Sequence, residues 1–177
     1  MTIGLVACPT AVVTVFIPDA GLEMAVRSTI GKPLGMLTKV DMLRLRQLDA
    51  RQRNIENLAG LELSRNLSWL DLDTNNVSDL KPLASLINIQ YLNLDSNQVT
   101  DLTPLAGLVN MDGLSLFDNQ IGDIQPLVTN AANGGLGPGD YVILDAETLG
   151  ERAVNIDIPI LRDDFGVNVI LAVPQGD

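Results

Sequence analysis

Histidine is absent from this 177-residue chain, which removes together the commonest general base and the commonest transition-metal ligand. A single cysteine, Cys8, excludes an internal disulfide framework and a thiolate metal cage. Positive charge is scarce: 11 Lys and Arg stand against 22 Asp and Glu, for a net charge of −11. Such a surface repels a phosphate backbone, so no nucleic-acid partner is expected. No glycine-rich phosphate loop is present either. Carboxylate-only chemistry, as in glycosidases, would survive these absences, but nothing in the sequence gathers two carboxylates into a pocket. The sequence therefore predicts a non-enzymatic protein with no cofactor and no metal centre.

Membrane signals are as thin. The uncharged run Met1–Ile17 is at the lower limit for a span, is broken by Pro9 and carries Thr2, Thr10 and Thr14. Leu5-Val6-Ala7-Cys8 matches a bacterial lipoprotein box in its letters, yet no basic residue precedes it. As written it is not an export signal; a start further upstream would make it one. Residues 10–17, rich in β-branched side chains, read instead as a strand leading into a cap.

What is present is a repeat. Read in frame, residues 67–88, 89–110 and 111–132 are successive copies with a period of 22 residues. Leucine recurs at the fourth and sixth places (Leu70/Leu72, Leu92/Leu94, Leu114/Leu116), asparagine at the ninth (Asn75, Asn97, Asn119) and aspartate at the thirteenth (Asp79, Asp101, Asp123). Pro-Leu occupies the sixteenth and seventeenth (Pro82-Leu83, Pro104-Leu105, Pro126-Leu127). L-x-L-x-x-N at this period marks a leucine-rich-repeat solenoid, each copy one coil stacked on the last. The fold class is α/β: a right-handed solenoid with a parallel sheet on one face and 3₁₀ or extended segments on the back.

The structure of one coil is set by its spacing. Alternation in L-x-L sends two leucines inward and their neighbours outward, as a strand requires. The ninth-place asparagine carries donors and an acceptor, so stacked copies can satisfy backbone groups where the chain bends away from the sheet. Val77, Val99 and Ile121, with Leu80, Leu102 and Ile124, fill the core from the return side. The x-Pro-Leu step disfavours a regular helix there.

Two degenerate coils bracket the clear ones. Residues 45–66 keep Leu48, Ile55, Leu58 and Leu61 but place Ala50 sixth and Arg53 ninth; residues 141–149 keep Val142, Leu144 and Leu149 with Glu147 ninth. End coils have one neighbour, so a charged ninth residue is tolerated if it reaches water. Five parallel strands are expected. Outside them, Asp19 followed by Leu22, Val26, Thr29 and Ile30, with Gly31 after, reads as a helix, and Thr38 with Asp41 as the capping box of a second, short one to about Leu43. Asn133–Gly139 reads as an irregular loop, 140–145 as a strand, 155–164 as a short helix and 167–173 as a last β-run. The organisation is one domain over 1–177: an N-terminal extension or strand (1–17), a helical N-terminal cap (18–44), repeats (45–132), and a loop, degenerate repeat and α/β C-terminal cap (133–177).

The repeat and its flanks resemble the bacterial internalin-type class of 22-residue leucine-rich repeats, a class shared with a regulatory subunit of protein phosphatase 1. IPDAGLEMAVRSTIGKPLGMLTKVDM resembles the helical N-terminal cap of bacterial members, and DYVILDAETLGERAVNIDIPILRDDFGV their closing segment, departing from it at Ala146 and Glu147. The likeness covers roughly residues 16–171. It implies protein recognition through the sheet face, without catalysis, and does not name the partner.

Projecting the frame onto the strands gives that face. Outward places three, five and seven hold Gln47, Asp49, Arg51; Trp69, Asp71, Asp73; Tyr91, Asn93, Asp95; Gly113, Ser115, Phe117; and Tyr141, Ile143, Asp145. The chain has one Trp, two Tyr and three Phe, and most of them fall here. Scarce aromatics normally go to cores; interleaved with carboxylates on a face they make a binding surface, although cross-strand pairing alone could also place them. Trp69, Tyr91, Phe117 and Tyr141 with Asp71, Asp73, Asn93 and Asp95 are the candidate contacts, and Asn75, Asn97 and Asn119 the structural ladder. Asp71-x-Asp73-x-Asn75 also echoes a calcium loop, but Asn76 and Pro82 stand where glycine and glutamate belong. A looser calcium site among Asp71, Asp73 and Asp95 stays open.

Five strands about 4.8 Å apart, each about five residues long, give roughly 300–400 Å² in projection. A standard interface buries about 800 Å² per partner. The face therefore suits a peptide, or part of a larger contact that recruits loop 133–139. The expectation is a monomeric protein- or peptide-binding module for a partner of basic character, secreted or on the cell surface, with a cytoplasmic place compatible. The competing readings are a passive spacer of a cell-surface protein and a carbohydrate-binding module stacking a sugar on Trp69 and Tyr91.

Overall fold

The computed structural model describes residues 12–173; Cys8 and the Leu5–Cys8 box lie outside them. Two short strands, β1 (Thr14–Val15) and β2 (Leu37–Thr38), pair antiparallel at the N-terminal end, so the strand read over 10–17 is two residues long among those described. Between them runs α1 (Ala20–Ile30), capped by the Asp19 side chain, which accepts from Leu22 N at 3.0 Å. The other Asp19 oxygen accepts from Glu56 N and Asn57 N at 2.9 and 3.2 Å, tying the helix to the first coil. A second helix, α2 (Lys39–Met42), opens on the Thr38–Asp41 capping box. Lys32 Nζ lies 2.6 Å from Asp41, and with Thr38 holds that carboxyl down to about 2.

Six strands then stack in chain order as one parallel sheet: β3 (Gln47–Asp49), β4 (Trp69–Asp71), β5 (Tyr91–Asn93), β6 (Gly113–Ser115), β7 (Tyr141–Asp145) and β8 (Asn168–Ala172). Register runs Leu48, Leu70, Leu92, Leu114, Val142, Val169, all buried. The expected count of five strands is corrected to six. The last β-run joins the same sheet because residues 146–167 form a crossover long enough for parallel pairing, wound as two π-helical stretches at Ala153–Asp157 and Ile160–Asp164.

The backs of three coils are 3₁₀ turns (Leu61–Leu63, Lys81–Leu83, Thr103–Leu105). The next back is not: α3 (Gln125–Ala132) is a regular helix, against the expectation of a 3₁₀ or extended segment. Pro126 lies in its first turn, where no N–H is needed, and Leu127-Val-Thr-Asn-Ala-Ala continues without a breaker. The buried Asn130 anchors the loop beyond this helix: its amide donates to Leu105 O and Leu108 O at 3.0 Å, and its oxygen accepts from Leu136 N at 2.8 Å. Leu136 is itself buried, so the glycine-rich loop is pinned at its middle. The apolar core is one cluster from Ile17 to Val169.

Candidate functional site

The strand exits are set by two kinds of polar side chain. In the first, the ninth-place asparagines stack. Asn97 donates to Leu94 O and Asp95 O of its own coil (3.1 and 2.9 Å) and to Leu72 O of the preceding one (2.9 Å), while its oxygen accepts from Val77 N (2.9 Å). Asn119 repeats this with Leu116, Phe117, Leu94 and Val99, and Asn75 with Leu72, Asp73, Ala50 and both Arg53 N and Ile55 N. All three are buried. The residue before each sits at positive φ (Thr74 55°, Ser96 51°, Asp118 54°), which turns the chain off the sheet.

In the second, side chains on the outward face, at the fifth place in the middle coils and the seventh in the last, turn back on their own chain. Asp71 Oδ1 accepts from Asp73 N, Asn93 Oδ1 from Asp95 N and Asp145 Oδ1 from Glu147 N, at 3.0, 2.9 and 2.8 Å. This qualifies the outward projection: Asp71 and Asp145 keep only 6% and 7% of their surface. Asp71 is also occupied by Arg51 Nε at 3.4 Å. Burial pushes the Asp71 carboxyl up, against the turn N–H and Arg51.

The aromatic row occupies the third place. Trp69, Tyr91, Gly113 and Tyr141 are cross-strand partners in sequence. A Cβ on Gly113 would sit 2.6 Å from two Tyr141 ring carbons, so glycine is what lets that ring lie across β6 toward Tyr91. Tyr91 and Tyr141 remain 42% and 37% exposed. These three aromatics, with Asp71, Asn93 and Asp95, line a shallow groove of about 340 Å³ floored by Ser115 and Ile143. Phe117 and Asp73 lie outside that lining. Asp95 Oδ1 accepts from Ser115 Oγ at 2.6 Å and Phe117 N at 2.8 Å. Burial raises the Asp95 carboxyl above the usual range, and the Asp73 and Asp118 charges add to this. Among the described residues no three metal-ligating side chains converge, and no helix is long and apolar enough to cross a membrane.

Three features escaped the sequence reading. Ser115 and Gly113 shape the groove although neither is aromatic or charged. A second ladder runs along the coil ends: Asn66, Asn88 and Asn110 donate to Leu43 O, Arg65 O and Ile87 O at 2.7–2.8 Å. Its signal was visible, since asparagine fills the last place of these three frames.

Residues 65–107 match the family described as Leucine Rich repeats (2 copies). The fold is similar to that of an internalin (inlF) from Listeria monocytogenes str. 4b F2365, at TM-score 0.68 and 22% identity over 81% of this chain and 48% of that one. It is also similar to an internalin C2 (inlC2) of the same strain, at TM-score 0.60 and 25% identity over 96% of this chain and 83% of that one. The functional domain of InlJ from Listeria monocytogenes matches at TM-score 0.62 and 22% identity, over 75% of this chain and 27% of that one. No curated protein sequence matches. The protein is a leucine-rich-repeat solenoid whose fold is similar to that of these bacterial internalins. It spans about half of the inlF chain and about a quarter of the InlJ chain.

Proposed function

We propose that the protein is a non-enzymatic module that binds a protein or peptide through the outward face of its parallel sheet, and that it acts outside the cell or on its surface. The observation that carries this is the in-register row of Trp69, Tyr91 and Tyr141, lining one groove with Asp71 and Asp95. Rings held on a rigid sheet contribute contact area with little ordering entropy, the property of interface hot spots. The carboxylates favour a basic partner and make association faster at low salt. The lack of histidine, of a second cysteine and of a phosphate loop supports the non-catalytic reading. The internalin-type fold supports the extracellular placement.

The experiment is a capture from surface and secreted proteins, run in parallel with the parent, Trp69→Ala, Tyr91→Ala and the back-side control Lys81→Ala. A partner retained by the parent and the control, and lost from both aromatic variants by about tenfold or more in affinity, supports the reading. Equal retention by all four contradicts it.

A further inference from the structure

The groove holds one carboxylate that nothing in the described chain neutralises. Asp71 has Arg51 at 3.4 Å, and Asp49 has the same guanidinium at 2.9 Å. Asp95 has no ion pair among the described residues, and its second oxygen, Oδ2, accepts no hydrogen bond there. A half-buried carboxylate that shares a groove with aromatic rings, with other carboxylates around it, is a seat for a cation supplied from outside.

We propose that the groove seats one lysine side chain of an extended partner peptide, the peptide backbone passing over Tyr91 and Tyr141, the lysine stem over Ser115 and its ammonium on Asp95 Oδ2. This rests on the reading of the sheet face as the recognition surface and deepens it to a residue type. The row of rings and the row holding Asp95 are four residues apart along the strand, about 13 Å. Between them, at the fifth place, the floor is low, with Ser115 8% exposed. From a backbone at the ring row, an unbranched stem crosses this fifth-place floor with its methylenes on it and its charge at the far end.

The hydrogen bonding of Asp95 selects lysine over arginine. Oδ1 already accepts two donors, from Ser115 and Phe117. A guanidinium binds carboxylates best as a fork across both oxygens, and here only one is open. An ammonium is a compact point donor and needs only one. Calcium would want six to eight oxygens, and no three carboxylates converge among the described residues.

The test is an NMR titration of the ¹⁵N-labelled protein at low salt with Ac-Gly-Gly-Lys-Gly-Gly-NH₂ and its arginine and glutamine counterparts, following the Phe117 amide and the Trp69 indole. Saturable shifts with the lysine peptide, about fivefold weaker with arginine, and no saturation with glutamine are expected. Asp95→Asn keeps an oxygen for Ser115 and Phe117 while removing the charge, so its spectrum elsewhere stays that of the parent and its lysine affinity falls about tenfold. Arginine binding as tightly as lysine, Asp95→Asn binding like the parent, or calcium chloride displacing the peptide from these signals overturns the proposal. Against a captured partner, Trp69→Ala failing while Asp95→Asn binds normally removes the lysine seat and leaves the face. Both binding normally removes both.

Discussion

The middle coils and the end coils solve one problem differently. In the middle, each ninth-place asparagine serves its own strand exit and the coil before it: Asn75 reaches back to Arg53 N, Ile55 N and Ala50 O. The ladder therefore points toward the N-terminus. The first coil needs no asparagine of its own, because Asn75 satisfies it from one side and Asp19 from the other. The last coil is the opposite case. Glu147 is exposed, Ala146 lacks the positive φ of its counterparts, and closure comes through Gly150 N–H to Gly122 O at 3.0 Å. Degeneracy at the two ends is thus not equivalent: one end is served by its neighbour, and the other takes a different path.

The largest effect that would break this comparison is at Asn97. Asn97→Leu strands Val77 N and three carbonyls, each costing on the order of 1–3 kcal/mol if left unsatisfied. A loss of about 3 kcal/mol or more in chemical denaturation is expected, against about 0.5 kcal/mol or less for Arg53→Ala. Equal losses would mean the ladder does not separate middle from end. Next comes the joint between cap and first coil, where a Cβ on Gly21 would sit 2.5 Å from Arg53 O. Since that obstacle is backbone, Gly21→Ala should cost about 1–3 kcal/mol, read as a lower melting temperature with the later coils' amide exchange preserved.

Smaller effects sharpen the account. Burial raises the Asp95 carboxyl, so its protonated form suits the fold. Its contribution is favourable at low pH and lost as pH rises past the ordinary carboxylate value through the raised one. Asp95→Asn should therefore raise the melting temperature at pH 7 by about 1–2 °C, with the gain vanishing near pH 3. A gain that grows on acidification would refute the sign. Smallest is Glu147→Asn: without the left-handed residue before it, the new amide finds no ladder, and stability should stay within about 0.5 kcal/mol. A clear gain would show that the last coil can adopt the middle geometry.

Most of the fold was legible because the period fixes which side chains face inward, and the frame placed the repeat strands and the buried leucines. The sixth strand was seen as a β-run, but its parallel pairing depends on the path of residues 146–167, which no local pattern encodes. The helix at Gln125–Ala132 was hidden because Pro-Leu looks alike in every copy, and only the residues after it decide. The face was legible as positions and not as chemistry. Alternation sends Asp71 outward, yet only the turn at Asp73 N and the neighbouring Arg51 show that it is spoken for. Gly113 reads as a gap until register puts Tyr141 beside it.

Trp69 is the only tryptophan in the chain, and it stands half-buried in the candidate face, so one spectroscopic measurement addresses the central claim. With 5-fluorotryptophan at this position, the ¹⁹F resonance and its sensitivity to acrylamide can be followed as the captured partner is added. The account predicts a saturable shift and a fall in quencher access by about twofold or more as the ring is covered. A partner bound at saturation with the Trp69 signal and its quenching unchanged would contradict the assignment of the aromatic and acidic face as the binding surface.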